Sequence, residues 1–281
     1  MYYHPPVAKP PKRKNGYKKE AVIGIAIILI MIIVFVFIRA AVPADTILSS
    51  SEPTQNVLGE SFPEFHNATP GPTPEPTTAP GPMPLLVNSK HPVPDNYNPS
   101  NMVLMNDYCP SDIVNIKEPN TYGEREAVDA LLAMISDAQA QGLIIWQVSD
   151  AYRSVAEQQR LWDESYQKYL TVNELSHEKA TQAANRRVAK GGHSEHHLGL
   201  AFDINVPGEA FRKTKQCEWL ALNCVRYGFI IRYTEDKESI TGTTAEPWHV
   251  RYVGEWHAKK MQRENLCLEE YISKYGADYK P

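Results

Sequence analysis

Residues 194–203 read Ser-Glu-His-His-Leu-Gly-Leu-Ala-Phe-Asp and contain two candidate metal ligands, His196 and Asp203. A fully extended chain would separate these two residues by about 23 Å. Because a zinc ion takes each ligand atom at about 2 Å, the chain must fold back between them. Gly199 accepts backbone angles that other residues avoid, so we expect the bend at this glycine.

Residues 246–249 read Glu-Pro-Trp-His and add a second imidazole and a carboxylate. Two His and one Asp around zinc, with a free Glu beside an open fourth position, are typical of metal-assisted hydrolysis. Glu246 precedes a proline, which favours an extended backbone for this glutamate. The sequence therefore predicts a zinc hydrolase site that differs from the helical His-Glu-(x)2-His arrangement.

The amino-terminal region has the pattern of a membrane anchor. Residues 1–20 are basic, and residues 21–38 contain no charge. As a helix, this apolar run would be about 27 Å long, close to the ~30 Å hydrocarbon core of a bilayer. The basic residues before it predict a single-pass protein with a cytoplasmic amino terminus and the remainder outside the cell membrane. The alternative is a cleaved signal peptide, because residues 42–44 read Val-Pro-Ala, but the run exceeds the usual apolar length of such peptides.

Residues 39–84 predict a linker, and residues 85–281 predict the globular domain. The linker is rich in Pro, Ser and Thr and cannot build a core, so we expect it to be disordered or extended. Polyproline-like segments gain about 3.1 Å per residue and act as stiff spacers. A spacer of this kind indicates a target held away from the bilayer, such as a cell wall.

Charge and cysteine usage exclude other classes of protein. The formal net charge of -4 gives no indication of nucleic-acid binding. The four cysteines include no Cys-(x)2-Cys pair, which argues against a zinc ribbon or a dense disulfide scaffold. Cys217 and Cys224 would lie about 10.5 Å apart on one predicted helix, too far for a disulfide. Cys109 and Cys267 could pair or stay free.

The pattern of apolar residues predicts the secondary structure of the domain. Helices are expected at residues 123–141, 155–170, 176–190, 215–227 and in segments up to about 275. Strands are expected at residues 85–88, 143–148, 202–205, 228–233 and 249–253. Ser154 is placed to cap the second helix. Helices dominate the first half and strands cluster around the motifs, which favours an α+β fold over alternating α/β.

Three motifs occur in the domain. They are Ala-Tyr-Arg-Ser-(x)3-Gln from residue 151, Ser-Glu-His-(x)2-Gly-(x)3-Asp from residue 194 and Glu-Pro-Trp-His-Val-Arg-Tyr-Val-Gly from residue 246. Together they resemble the VanY-like D-alanyl-D-alanine carboxypeptidases, in the family's motif order, through about residues 85–256. The chain departs from the family at Asp150-Ala151, where Ser-Gly is usual, and at Gly191, where Pro is frequent.

The resemblance implies an α+β fold in which helices pack on a small central antiparallel sheet, as in Hedgehog and D,D-peptidase domains, here preceded by the predicted transmembrane helix. It implies one Zn²⁺ bound by His196, Asp203 and His249. It also implies that Glu246 is the catalytic base, which accepts a proton from the zinc water and passes it to the leaving amine. The alternative for Glu246 is a surface residue or an ion-pair partner.

The resemblance also assigns the substrate side of the site. Arg153 would stabilise the oxyanion, and the alternative is a salt bridge to Asp150. Ser194 would contact the terminal carboxylate of the substrate, or it could form a local turn. Gln158 would hydrogen-bond the substrate peptide, or it could lie on the surface of its helix.

Three other histidines are not expected to be ligands. His193 is one of them, and His197 is another because adjacent side chains of a strand point to opposite faces. His257 is expected on the surface of a terminal helix.

The predicted function is that of a zinc-dependent D,D-carboxypeptidase that removes the terminal D-alanine from peptidoglycan stem peptides. One alternative is an L,D-carboxypeptidase or endopeptidase acting on the same wall peptides, because its ligand set would be identical. A second alternative is an inactive wall-binding module, but mere binding does not need the base Glu246. The sequence leaves the scissile bond and the oligomeric state open.

Overall fold

The computed structural model of the protein describes residues 81–205 and 207–277. The predicted anchor at residues 21–38 and nearly all of the predicted linker lie outside this part of the chain. Among the residues that are described, no helix is long and apolar enough to cross a bilayer.

Two sheets form the framework of the described region. Its strands are β1 (Met102–Leu104), β2 (Asn115–Ile116), β3 (Tyr122–Glu124), β4 (Gln147–Asp150), β5 (Ala201–Ile204), β6 (Phe229–Tyr233) and β7 (Glu246–Tyr252). β1 pairs with β3 in a small antiparallel sheet. The main sheet has the order β2-β4-β5-β7-β6 and is antiparallel except for the β2–β4 pair, which is parallel. The α+β fold is therefore confirmed, and the prediction of an antiparallel sheet holds except at the β2 edge.

The described residues also form nine α-helices. They are α1 (Met105–Tyr108), α2 (Arg125–Ala140), α3 (Val155–Thr171), α4 (His177–Asn185), α5 (Glu209–Arg212), α6 (Lys215–Asn223), α7 (Glu238–Thr241), α8 (Glu255–Glu264) and α9 (Leu268–Tyr275). The apolar residues that predicted this helix are completely buried and belong to the same core cluster as apolar residues of β4, β5 and β7; they are Ala127, Leu131, Met134, Ile135 and Ala138. Ser154 caps α3 as expected, because its Oγ accepts a hydrogen bond from the Glu157 backbone N–H at 3.2 Å.

The strand predicted at residues 143–148 is largely wrong. Only its last two residues belong to β4, which continues to Asp150. Ile144 and Ile145 are 71% and 72% exposed, whereas Trp146 is buried in the core. A short run of β-branched residues indicates strand propensity, but it does not show which side chains the rest of the fold covers.

The strand predicted at residues 85–88 is also wrong. This segment makes only an isolated bridge between Asn88 and His91. The Asn88 side-chain oxygen accepts hydrogen bonds from the backbone N–H groups of Lys90 and His91 at 2.9 and 3.0 Å. An asparagine that bonds the backbone just ahead of it favours a turn over a strand.

Two predicted helices end early. The helix predicted at residues 176–190 ends at Asn185, and α6 ends at Asn223 before one 3-10 turn, Cys224–Tyr227. All four cysteines are buried and free, so Cys109 and Cys267 do not form a disulfide in this structure.

His257 is buried, with 1% exposure, so the prediction of a surface position is wrong. Its Nδ1 lies 2.8 Å from the Tyr271 hydroxyl on α9, and its Nε2 lies 3.2 Å from the Gly81 carbonyl oxygen. The cause is the packing of α8, whose buried face also includes Ala258 and Met261. His257 thus joins α8 to α9 and to the start of the described chain.

Candidate metal centre

The segment 194–203 folds back on itself as predicted. Glu195–Leu198 form a 3-10 helix, Gly199 follows with a φ of 69°, and β5 begins two residues later. Ser194 caps the short helix, because its Oγ accepts a hydrogen bond from the His196 N–H at 3.3 Å. The turn-forming alternative for Ser194 is thus observed, and its contact with substrate stays a prediction.

We expect Gly199→Ala to lower the free energy of unfolding by about 1–3 kcal/mol, because a left-handed backbone is strained for alanine. The new Cβ would also lie 2.7 Å from the Met102 sulfur and 3.2 Å from the Glu124 nitrogen. Gly192→Ala is the control, since Gly192 has a φ of 82° but open space around the added atom. Thermal unfolding should rank Gly199→Ala as the more damaging change, and the reverse order would contradict this account.

A β-bulge brings Glu246 and His249 to the same cavity. In a regular strand, residues three apart point to opposite faces. Here the pairing of β6 with β7 is irregular. The two steps from Ile231 to Tyr233 on β6 lie opposite the four steps from Val250 to Glu246 on β7. The extra residues on β7 re-aim its side chains, so that Glu246 and His249 both line the cavity. Glu246 starts a strand, which agrees with the extended backbone expected before a proline.

The structure brings the three candidate metal ligands together. One donor atom each from His196, Asp203 and His249 lies within 4.8 Å of the other two. Asp203 Oδ1 is 2.9 Å from His249 Nδ1 and 3.6 Å from His196 Nε2. Neighbouring strands supply two of them, because Asp203 on β5 pairs directly with His249 on β7. Two imidazoles and one carboxylate form a donor set that suits zinc.

The second nitrogen of each imidazole supports this fit. His196 Nδ1 lies against the Ala151 carbonyl oxygen, which can only accept a hydrogen bond. Nδ1 must therefore carry the proton, which leaves the Nε2 lone pair available on the side of Asp203. His249 is arranged the other way round, with Nδ1 beside Asp203 and Nε2 facing Glu195. Both rings can thus offer a lone pair to one cation.

Burial and neighbouring charges set the protonation of these groups. Burial, aided by the Arg153 cation, lowers the pKa of His196, so this imidazole is neutral. Burial also opposes charge on His249, but Asp203 and Glu195 outweigh it and raise the pKa of His249 to about 9. Burial would raise the pKa of Asp203, yet the two imidazoles hold it well below its usual value. This environment favours positive charge between His249 and Asp203, which a divalent cation would supply.

Glu246 lines the same cavity and is partly buried. Burial, reinforced by the charge of Asp203, raises the pKa of Glu246 to about 7, although His249 and Arg153 oppose the shift. A carboxyl with a pKa near neutrality can both accept and return a proton. The environment of Glu246 is thus suited to the predicted acid–base role, which stays a prediction.

Arg153 reaches the centre from the loop before α3. Its Nε lies 3.1 Å from Asp150 Oδ2, and its Nη2 lies 3.6 Å from Asp203 Oδ2. The alternative salt bridge to Asp150 is therefore present, and the guanidinium also stands beside a candidate zinc ligand. Its role towards an oxyanion stays a prediction.

Gln158 is 1% exposed, so it does not lie on the surface of α3. Its Oε1 accepts a hydrogen bond from Arg153 Nη1, and its Nε2 donates to the Ala189 carbonyl at 2.7 Å. Both ends of the amide are thus engaged within the protein. The structure favours a role in holding Arg153, and the predicted contact with substrate remains untested.

His193 and His197 have other partners, as expected of residues that are not ligands. His197 Nδ1 lies 2.8 Å from the Arg153 carbonyl oxygen, and its Nε2 accepts from the Gly192 N–H at 3.0 Å. His193 Nδ1 lies 2.9 Å from the Asn88 carbonyl oxygen. The reason given for His197 was wrong, because the segment is a 3-10 helix and not a strand.

The sequence reasoning missed a buried group of charges next to His249. We call it the Glu195 network, and it consists of Glu195, Arg232, Arg251 and Glu269. The first three belong to stretches that the sequence had already singled out, namely the motifs from residues 194 and 246 and the strand at 228–233. The signal for this network was a charged residue within a predicted strand, as at Arg232 and Arg251. Charged side chains are almost never buried unless a group of opposite charge pairs with them.

A cavity of about 370 Å³ opens over the candidate ligands. Its wall includes Arg153, Ser194 and Glu246, together with Lys168 and Arg187 from α3 and the segment after α4. The latter two are exposed, and no ion pair of theirs is found in the part of the chain that the structure describes. The cavity therefore combines a place for a cation with a basic rim.

The sequence and the fold match proteins of one kind. A family model described as VanY, D-alanyl-D-alanine carboxypeptidase, matches residues 120–255. A D-alanyl-D-alanine carboxypeptidase of Enterococcus faecalis (strain ATCC 700802 / V583) is 35% identical over 189 residues, which are 67% of this chain and 65% of the relative. The chain thus spans slightly less than two thirds of that relative.

This chain matches a larger share of two solved structures. A mutant of the vancomycin resistance D,D-pentapeptidase VanY, in complex with Zn(II), is 34% identical with a TM-score of 0.56, over 67% of this chain and 97% of that one. The LD-carboxypeptidase LdcB is 37% identical with a TM-score of 0.56, over 67% of this chain and 85% of that one.

Proposed function

This chain belongs to the VanY family of D-alanyl-D-alanine carboxypeptidases, and on that premise we propose that it is a zinc-dependent D,D-carboxypeptidase. Its substrates are peptidoglycan stem peptides, from which it removes the terminal D-alanine. The observation that carries the proposal is the convergence of His196, Asp203 and His249 in one cavity with the partly buried Glu246. A site for binding alone would not need a carboxyl whose pKa lies near neutrality.

His196, Asp203 and His249 would hold the zinc ion. When bound there, zinc lowers the pKa of a coordinated water to about 7 and polarises the carbonyl of the scissile peptide. Glu246 accepts the proton of the attacking water and returns it to the amine of the departing D-alanine. Burial raises the pKa of Glu246, which makes this carboxylate a better proton acceptor.

Arg153 stabilises the negative charge that develops on the carbonyl oxygen. Its guanidinium is permanently charged and is held by Asp150 and Gln158, so little reorganisation is needed during the reaction. Ser194 binds the carboxylate of the terminal residue. Lys168 and Arg187 on the cavity rim suit an anionic peptide, because opposite charges attract it towards the site.

Product analysis tests the proposal. The full-length protein, supplied with zinc, should release D-alanine from a pentapeptide stem that ends in D-Ala-D-Ala, and a metal chelator should abolish the release. Mass spectrometry of the shortened peptide would identify the bond that was cut. Failure to release D-alanine from the pentapeptide under zinc-replete conditions would contradict the proposed activity.

An L,D-carboxypeptidase is the second candidate, and the similarity to LdcB favours it. The same donors and the same base would serve an L,D bond, since both reactions hydrolyse the peptide bond before a terminal D-alanine and differ in the residue that precedes it. A tetrapeptide stem separates the two activities. Release of D-alanine from the tetrapeptide but not from the pentapeptide would assign the enzyme to the L,D class.

The proposal extends to the location of the enzyme. The uncharged run at residues 21–38 would anchor the chain in the cell membrane, and the proline-rich residues 39–84 would space the domain away from it. The catalytic domain would then face the cell wall. Fractionation of cells producing the full chain should find it in the membrane, and a fully secreted form would favour cleavage near residue 44.

A further inference from the structure

Glu195 is completely buried beside the metal centre, and the proposed reaction does not use it. Its Oε1 lies 2.8 Å from Arg232 Nε and 3.0 Å from Arg251 Nη1. All three side chains have 0% or 1% exposure. One carboxylate oxygen therefore faces both guanidinium groups.

The other oxygen of this carboxylate, Oε2, faces His249. Oε2 and His249 Nε2 are 3.6 Å apart, and neither makes a hydrogen bond within the described residues. A buried polar atom without a partner destabilises the fold, so these two atoms are expected to satisfy each other. An approach of about 0.5 Å would bring them within hydrogen-bonding distance.

The chemistry of imidazole gives this contact a direction. A neutral imidazole has one N–H, so a ring that binds a cation through one nitrogen carries its proton on the other. His249 Nδ1 is the nitrogen that lies beside Asp203, at 2.9 Å from Oδ1. When Nδ1 is the ligand atom, the proton is on Nε2 and points at Glu195.

We propose that Glu195 is the positioning residue of His249, whose Oε2 accepts the Nε2 proton and holds Nδ1 towards the metal. Arg232 and Arg251 fix the carboxylate and compensate its charge in the interior. Carboxylates that bond the outer nitrogen of a metal-bound histidine orient the ring and strengthen it as a ligand. The inference rests on the proposed function only in taking zinc as the bound ion.

Glu269 offers a matched control. It bonds Arg232 from the far side, with distances of 2.9 Å to Nη1 and 2.6 Å to Nη2, and it also accepts from Asn88 Nδ2 at 3.0 Å. Glu269→Gln thus removes one negative charge from the same network but leaves the His249 contact in place. A purely structural role of the network predicts similar effects of Glu195→Gln and Glu269→Gln on zinc binding.

Zinc affinity, measured by competition with a chromophoric chelator, tests the proposal. We expect Glu195→Gln to weaken binding by about 10–100-fold and Glu269→Gln by less than about threefold. Because Glu195→Gln leaves two buried arginines with less compensation, the charge-balanced double variant E195Q/R232M is measured as well. A folded double variant that binds zinc as tightly as the wild type would overturn the inference.

Nitrogen-15 spectra of the histidine rings provide a readout that needs no variant protein to fold. In the zinc-loaded wild type, His249 should have a metal-bound Nδ1 and a protonated Nε2, and a metal-bound Nε2 would exclude the proposed contact. Turnover of the pentapeptide by the wild type is recorded separately. If the wild type turns over the pentapeptide but Glu195→Gln and the double variant bind zinc with unchanged affinity, only the role of Glu195 is refuted. If these variants lose zinc affinity as predicted but the wild type is inactive, only the proposed activity is refuted.

Discussion

Glu246→Gln should lower kcat on the pentapeptide by about 10²–10⁴-fold while the protein still binds one zinc ion. The amide has nearly the shape of the carboxyl but cannot accept a proton. Because Glu246 is not among the three converging donors, zinc affinity should change little. Steady-state kinetics together with metal analysis would measure both quantities in one preparation.

The same variant has an expected signature in stability. Burial raises the folded-state pKa of Glu246 to about 7, so the folded protein resists ionisation of a group that ionises at lower pH when unfolded. This carboxyl therefore costs the native state stability as pH rises above its unfolded pKa and through 7. Zinc-free Glu246→Gln should be at least as stable as the wild type at pH 8. A variant that loses stability together with activity would indicate a structural role for Glu246.

Two controls complete this experiment. Glu235→Gln removes an exposed carboxylate that pairs with Arg212, and it should leave kcat within about twofold because it lies outside the cavity wall. In the zinc-loaded wild type, kcat/KM should fall with decreasing pH, and the midpoint should lie below 7 because zinc favours the ionised form of Glu246 and so lowers the pKa of about 7 that burial gives it. Retention of more than a tenth of wild-type kcat in Glu246→Gln would remove Glu246 from the mechanism.

His196→Ala should abolish stoichiometric zinc binding and reduce turnover by about 10³-fold or more, because only two of the three donors remain. The neighbouring His197 is the matched control, since both of its ring nitrogens already bond the protein backbone. His197→Ala should lower the unfolding temperature but keep one zinc per chain. Metal analysis after dialysis, followed by activity at several zinc concentrations, distinguishes these outcomes.

The two histidine variants could also behave alike. One zinc ion per chain in both His196→Ala and His197→Ala would contradict the assignment of His196 as a ligand. Loss of zinc from both variants would instead show that the whole turn at residues 194–203 has collapsed, and circular dichroism would detect that change. His197→Ala should stay active without added zinc, whereas added zinc should leave His196→Ala inactive.

Much of the metal site could be predicted because its chemistry needs particular residue types at short spacings. The bend at Gly199 follows from the close spacing of His196 and Asp203, which are seven positions apart, and its φ of 69° confirms the choice of glycine. The extended backbone at Glu246 follows from the proline after it. These inferences are local, so one sequence is sufficient for them.

The remaining features depend on contacts between distant segments. The Glu195 network joins residues from the 3-10 helix, β6, β7 and α9, and local periodicity does not report such a meeting. The exposure of Ile144 and Ile145 likewise depends on what the other elements leave uncovered. The bulge in β7 decides that Glu246 and His249 share one cavity, whereas simple alternation would have separated them.

The packing of the first described residues has a practical consequence for recombinant fragments. Met83 packs against the core, the Gly81 carbonyl lies 3.2 Å from His257 Nε2, and the Leu85 carbonyl accepts a hydrogen bond from Arg251 Nη2 at 3.0 Å. A truncation that starts at the predicted boundary, residue 85, would cut away part of this packing. Expression vectors for crystallisation or inhibitor screening should therefore start upstream of Gly81, and limited proteolysis should leave this segment on the domain.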